Sequence, residues 1–516
     1  MGFNRKSRTD NSLRNVGASF VSKILTLLLA FISRKVFIHY IGVRYLGING
    51  LFSNVLTLLS LADLGLGTAM NVSLYKPIAE HDTEKVSSLL WFFRRIYFLI
   101  ALAVTLIGLS LLPFLKYLVN LDQDIPHLKL YFIIFVLNNA VSYLFVYKAA
   151  ILRADQKRYK VINVEIFVNI SFTIIKIISV VLFSSYLLYI ILGVVAVFVN
   201  NLIISALANR EYTFIRSHKE LSTGDKKTIA KDISSMFIYR LSYTLLNGTD
   251  NILISVMVGT IAVGLYSNYL VITANLIALV ELLFTSLTPS IGNLVVTSSQ
   301  SHRYKVFQSM QMVSYWLSGV ITVCIFFLIQ GFITIWLGSR YLLDELAVWA
   351  IALNTFFAMC MRPVWTFREG TGMYRKIKFV MLTTAMLNLG LSVLLGKFLG
   401  ISGILFATSI SKLLTYFWYE PKILYRDFFE KTVSQYYFSF FGNAALMLFC
   451  GGICYLVLRL FQKTDILTWI VKAIICFAIV NVVYYIRYRK TEDFADMKHR
   501  IHSLFSKKKT KKKAAE

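Results

Sequence analysis

The sequence predicts an all-α polytopic membrane protein with about fourteen transmembrane helices. Three observations predict it. The 516 residues are 57% hydrophobic with a mean hydropathy of +0.65, well above the apolar share of about 45–50% usual for soluble domains. Apolar stretches of about twenty residues, the length that crosses a hydrocarbon core, recur along the whole chain. Two of these stretches also look like copies. FISRKVFIHYIGVRYLGINGLFSNVL slid onto NGTDNILISVMVGTIAVGLYSNYLVI superposes Gly42 on Gly259, Gly47 on Gly264 and Arg34 on Asn251, next to Asp250. Duplicated halves around a central site are a recurring transporter design.

The spans are expected near 15–38, 46–71, 89–113, 127–150, 161–183, 187–208, 233–258, 262–290, 307–331, 341–363, 378–398, 401–420, 436–458 and 467–486. The first follows a basic start (Arg5, Lys6, Arg8, Arg14) with no small-residue cleavage site after its apolar run, so it is expected to stay as a spanning helix. The ends of the second and eighth are the softest, because LADLGLGTAMN and TSLTPSIGN carry glycine or proline. Membrane helices tolerate such residues where neighbours satisfy the freed backbone groups.

Lysine and arginine set the orientation. Every second loop is basic: Lys76 and Lys85; Arg153, Lys157, Arg158 and Lys160; Arg216, Lys219, Lys226, Lys227 and Lys231; Arg303 and Lys305; Arg375, Lys376 and Lys378; Lys422, Arg426 and Lys431. The loops between them hold only Arg44, Lys116, Arg340, Lys397, Arg459 and Lys463. The positive-inside rule then places both termini in the cytoplasm. The net charge of +28 therefore lies mostly in juxtamembrane loops and a SKKKTKKK tail facing anionic lipid, a membrane-lipid partnership rather than a nucleic-acid one.

Catalytic chemistry finds no support. There is no Walker A loop, Rossmann glycine pattern or HExxH motif, and no soluble segment large enough for an enzyme domain. No cofactor and no metal are expected. Cys324, Cys360, Cys450, Cys454 and Cys476 fall inside the expected spans, where apolar packing is their role.

Charges inside a bilayer are costly and face a bundle interior or a water-filled cavity. The deep basic set is Lys23 and Arg34 in span 1, Lys176 in span 5, Arg240 in span 7 and Lys412 in span 12; the acidic set is Asp63, Asp250 and Glu281. Lys148, Arg362 and Lys472 lie near span ends and are expected to snorkel to water. The basic excess points to an anionic substrate. Lys23 and Arg34 are three turns apart and share a face. Arg240, Tyr243, Thr244, Asn247 and Asn251 form a stripe on span 7, with Asp250 at its edge; Glu165, Asn169, Thr173 and Lys176 do so on span 5. Such stripes either line a cavity or join helices through hydrogen bonds.

The stretch YLGINGLFSNVLTLLSLADLGLGTAMNVSLYKPIAEHDTEKV, with YKAAILRADQKRY and TDNILISVMVGTIAVGLYSNY, resembles the Wzx-type polysaccharide flippases of Gram-positive bacteria. These belong to the superfamily of multidrug, oligosaccharidyl-lipid and polysaccharide exporters. The resemblance implies two pseudo-symmetric six-helix lobes around a central cavity: an N-terminal lobe over 1–215, a cytoplasmic linker over 216–232 and a second lobe over 233–430. Two further helices then occupy 436–486 and a basic tail 487–516. It also implies alternating access in the bacterial cytoplasmic membrane. The cargo would be an undecaprenyl-pyrophosphate-linked oligosaccharide for exopolysaccharide or capsule, handled with other polysaccharide-assembly proteins.

Under that reading Arg34, Lys23, Arg240, Lys176 and Lys412 are candidates for the anionic headgroup, because fixed cations suit phosphate. Asn49, Asn54, Tyr243, Asn247, Asn251 and Asn268, with Asn275, can supply sugar contacts. Asp250, Glu281 and Asp63 are candidates for ion coupling, with a static salt bridge as the competing role. Three rivals stay open: a peptidoglycan-precursor or teichoic-acid flippase, a drug or cation antiporter, and a membrane polymerase or scaffold.

The layout makes a direct prediction. Single cysteines replacing Ser217 and Thr464 are probed in intact cells with a membrane-impermeant maleimide; only the one at 464 is expected to react. Labelling at 217 overturns the orientation.

Overall fold

In the computed structural model the described residues are 25–60, 66–120, 124–155, 157–216, 220–463, 465–495 and 498, and no strand occurs among them. Helix α1 covers residues 25–40. It is followed by α2 (Val43–Leu59), α3 (Leu66–Ala79), α4 (Thr83–Ser110), α5 (Leu128–Tyr143), α6 (Val146–Ala154), α7 (Arg158–Phe183), α8 (Tyr186–Glu211), α9 (Thr223–Gly248) and α10 (Asp250–Met257). Then come α11 (Thr260–Thr285), α12 (Thr288–Thr297), α13 (Gln300–Trp336), α14 (Glu345–Cys360), α15 (Arg362–Thr371), α16 (Tyr374–Leu414), α17 (Tyr416–Leu424), α18 (Ser434–Leu458) and α19 (Ile466–Tyr488).

Side-chain caps start several of these helices. The carboxylate of Asp82 accepts from the Lys85 N–H, the Ser185 hydroxyl from Leu188, Ser222 from Asp225 and Asp465 from Thr468. Each satisfies one of the first-turn donors that have no partner within the helix. Asp225 is also paired with Lys85 and hydrogen-bonded by Ser222. Those contacts hold its carboxyl below the usual carboxylate range.

Nine helices among the described residues are long and apolar enough to cross a membrane, or ten if α14 and α15, bent by 44° at their junction, count as one span. The fourteen expected spans are not all in that set, and the breaks explain much of the difference. Span 1 is described only from residue 25, span 2 is divided between α2 and α3, and span 7 is broken where α9 ends at Gly248 and α10 begins at Asp250. One of the nine, Lys376–Phe429, has 54 residues, a length of roughly 80 Å if straight against a hydrocarbon core of about 30 Å. It is not straight. Gly400 has φ 56° and ψ −132° inside it, and a Cβ on Gly403 would lie 2.1 Å from the Leu395 carbonyl oxygen. Residues eight apart touch only if the chain doubles back, so this segment holds the two spans expected at 378–398 and 401–420.

The chain packs as two compact units. The first comprises Met1–Val271 with Met381–Ile404. Its core joins α3, α4, α6 and α8 through Leu74, Leu90, Phe93, Ile151, Leu152 and Ala208. The second comprises Ile272–Val380 with Leu405–Glu516. There α13, α18 and α19 close on Val323, Cys450, Cys454, Cys476, Val480 and Tyr484. Asn443 is held at the centre of that packing. It donates to the Ser318 hydroxyl (3.2 Å) and accepts from the Tyr484 phenol (2.7 Å). Packing units and sequence lobes are thus different partitions, since α9, α10 and the first half of α11 pack with the first unit.

The duplicated glycines have matching geometry. Gly42 and Gly259 adopt φ 98° and 136°, values open to glycine because it lacks a Cβ. Each ends a helix by donating to the carbonyl five residues back, Gly42 to Phe37 (3.2 Å) and Gly259 to Ile254 (2.9 Å). Gly47 and Gly264 then make a reciprocal crossing of α2 and α11. A Cβ on Gly47 would lie 2.0 Å from the Thr260 carbonyl oxygen, and one on Gly264 would lie 2.6 Å from that of Val43. Val43 and Thr260 are themselves matching positions of the two copies. The crossing is bracketed by Asn120, whose backbone exchanges hydrogen bonds with the Thr260 hydroxyl (3.0 Å) and amide (2.9 Å).

Gly47→Ala and Gly264→Ala should each lower the stability of the detergent-solubilised protein by about 1–3 kcal/mol, the usual cost of overpacking. Gly451→Ala, with nothing within 4 Å of the added carbon, serves as the control. Thermal unfolding decides: equal melting of Gly47→Ala and the control contradicts the backbone crossing.

Candidate binding cavity

Arg34 lies two turns before the Gly42 break, on the part of α1 that faces α11. Its guanidinium donates to the Ser267 hydroxyl at 2.8 Å, and that hydroxyl donates onward to the Gly264 carbonyl at 2.7 Å. Among the described residues no carboxylate pairs with Arg34. A partly buried cation held by one neutral hydroxyl keeps most of its donors for something else, since guanidinium carries five.

What lies beside it is a cavity of about 210 Å³. Its walls come from Thr26, Ser33, Arg34 and Phe37 of α1, Leu46 and Asn49 of α2, Asn169 and Thr173 of α7, Tyr189 of α8 and Val271 of α11. That is the space of roughly seven waters, enough for a compact polar headgroup and too little for an oligosaccharide. The chemistry of the lining is one cation with hydroxyls, amides and an aromatic ring. Phe37 packs edge-on against Tyr189 at 4.8 Å. Thr173 donates to the side-chain Oδ1 of Asn169 at 3.3 Å, one turn away on α7.

The expected site residues divide as follows. Arg34 and Asn49 line the cavity together with Asn169 and Thr173 of the span 5 stripe, while Glu165 of that stripe pairs with Arg153 at 3.7 Å. Lys176, the next member of that stripe, rests over the Tyr189 ring at 5.1 Å. Lys23 and Asp63 lie outside the described residues. Arg240 is partly buried and is not part of this cavity's lining. Asn54 bonds the Gly50 carbonyl of its own helix.

The span 7 stripe does not present one surface, because the chain bends between Gly248 and Asp250. Tyr243 and Asn247 are exposed, with Asn247 donating back to the Tyr243 carbonyl at 2.7 Å. Asn251 is buried. Asp250 occupies the first turn of α10, where a carboxylate complements the helix N-terminus. Asn268 is fully buried on α11, with neither side-chain atom hydrogen-bonded.

In the second unit Lys412 is buried, and Glu281 pairs with Arg362 at 3.3 Å. Arg362 does not snorkel to water as its place near a span end implied. Its side chain is 12% exposed and rests against Glu281, at the start of α15 just past the 44° bend.

Sequence reasoning missed two contacts here. Ser267 carries no signal in an apolar run beyond its hydroxyl. The pair Arg368–Glu420, at 3.0 and 3.1 Å and almost fully buried, was hidden because Arg368 falls between two expected spans and Glu420 at the end of another. Among the described residues no group of His, Cys, Asp and Glu is placed to hold a metal ion.

Comparison with solved structures fits this architecture. The lipid II flippase MurJ in an inward closed conformation matches with TM-score 0.64 and 16% identity, over 92% of this chain and 98% of that one. A multidrug resistance MATE family transporter of the MOP superfamily matches in its inward-facing conformation with TM-score 0.58 and 13% identity, over 77% and 96%. The outward-facing conformation of such a transporter gives 0.52 and 14%, over 80% and 93%. At these identities the likeness is one of fold. No curated protein matches the chain by sequence. The sequence pattern of the polysaccharide biosynthesis protein family, however, matches residues 12–295. The chain therefore belongs to the polysaccharide biosynthesis protein family, on the fold of the MOP-superfamily transporters.

Proposed function

We propose that this chain is a flippase that carries an undecaprenyl-pyrophosphate-linked oligosaccharide from the inner to the outer leaflet of a bacterial cytoplasmic membrane by alternating access, for exopolysaccharide or capsule assembly. The observation that carries the reading is Arg34: a cation in a membrane helix, without a paired carboxylate, open to a headgroup-sized cavity of amides and hydroxyls. Arginine binds phosphate oxygens bidentately, and amides and aromatic rings suit the first sugar. The glycan beyond that sugar and the polyprenyl tail stay outside the cavity. On this reading two lobes, 1–215 and 233–430, rock about the central site, residues 436–486 add two helices, and both termini are cytoplasmic.

A second reading, transport of a peptidoglycan precursor on the same kind of carrier, has the likeness to the lipid II flippase in its favour. The two readings share headgroup chemistry and differ in the sugars.

Purified protein in liposomes with labelled undecaprenyl-pyrophosphate oligosaccharide, scored by accessibility in each leaflet, is the test. Arg34→Ala should lose about 1.5–3 kcal/mol of headgroup binding and with it translocation, while Arg34→Lys restores part. Full translocation by Arg34→Ala at normal folding would falsify the assignment.

Coupling to an ion gradient is assigned to Asp250. It lies next to the residue that matches Arg34 in the second copy, within electrostatic reach of Tyr266. Asp250→Asn should still equilibrate substrate in counterflow yet no longer respond to an imposed proton or sodium gradient. An unchanged gradient response leaves Asp250 with only its place at the start of α10.

A further inference from the structure

Lys176 is a part-buried cation beside the Arg34 cavity. Among the described residues no carboxylate and no hydrogen-bond acceptor engages its ammonium, which rests on the Tyr189 ring at 5.1 Å. Gly193, one turn on from Tyr189 in α8, also adjoins the ammonium: a Cβ there would come within 3.4 Å of its nitrogen. Tyr189 is also a wall of the Arg34 cavity, and so are Thr173 and Asn169, one and two turns from Lys176 on α7. The ring is thus the shared neighbour of two cations on different helices.

A cation–π contact holds an ammonium weakly compared with a charge-assisted bond to phosphate. Lysine's flexible stem lets the charge leave the ring for an anion held in the neighbouring cavity. We infer that Lys176 is a second anion station, positioned by Tyr189 and Gly193, that makes the cavity selective for a diphosphate over a monophosphate headgroup. One phosphate lies on Arg34 and the next on Lys176. The inference rests on the flippase reading and adds to it the discrimination between carrier classes, diphosphate-linked glycans against monophosphate-linked ones.

The experiment is isothermal titration of the full-length protein in detergent with two probes, farnesyl diphosphate and farnesyl monophosphate. Wild type should prefer the diphosphate by about tenfold or more, the worth of one additional charge-assisted contact. Lys176→Met should bring the ratio to within about twofold of unity, and Lys176→Arg should keep the preference. Gly193→Leu leaves both charges in place but crowds the ammonium where it rests, and it too should collapse the ratio. Thermal unfolding confirms that each variant is folded.

A wild type without preference overturns the inference whatever the variants do. So does a Lys176→Met protein that keeps the tenfold ratio; if Arg34→Ala has meanwhile lost both probes, the flippase reading stands without it. If Arg34→Ala binds both probes like wild type, the headgroup site itself is wrong, and that failure is distinct from the failure of Lys176 alone.

Discussion

A peptide group in hydrocarbon has no water to bond, so every place where a membrane helix stops must be closed by the protein itself. Much of the first unit follows from that constraint. Where α1 and α10 end, a glycine turns the chain while its own amide adds a second bond to the carbonyl five residues back. The helices that start next can then cross with backbone against backbone, because Gly47 and Gly264 put no side chain between them. At the crossing the Asn120 main chain donates to the Thr260 hydroxyl and accepts from its amide.

The same constraint explains what is left for function. Polar groups that close the backbone are spent locally, as with Asn54, Asn247 and Thr285, which bond carbonyls one turn back on their own helices. Arg34 is different. Among the described residues its hydrogen-bond partner is a hydroxyl on another helix, and it lines the cavity beside it. In the second unit Arg368 is answered by Glu420 and Arg362 by Glu281. Arg34 and Lys176 of the first unit have no carboxylate partner among the described residues.

Much of the architecture was legible because membrane helices announce themselves by apolar length, and the glycine repeat marked the breaks by residue identity alone. The face of α7 was legible for the same reason: Asn169, Thr173 and Lys176 keep helical spacing in an otherwise apolar segment. Partners were not. Arg34 and Ser267 are 233 positions apart, and no periodicity links them. The stripe on span 7 misled because it assumed one straight helix across Gly248 and Thr249, where the chain bends. Arg362 misled similarly: closeness to a span end says nothing about a partner such as Glu281.

The reciprocal glycine crossing has a mechanical consequence. Contacts made by side chains immobilise rotamers each time they form, at about 0.5–2 kcal/mol for a long residue. The joint at Gly47 and Gly264 is mostly backbone and immobilises little beyond the short side chains of Val43 and Thr260. Surfaces of α2 and α11 that meet at Gly47 and Gly264 can separate and reseat with little change in side-chain entropy, so the joint acts as a smooth bearing rather than an interlocking clasp. A bulky residue at either glycine would do more than destabilise the closed arrangement. It would add friction to every passage between arrangements, and transport rate would fall even where the folded protein survives.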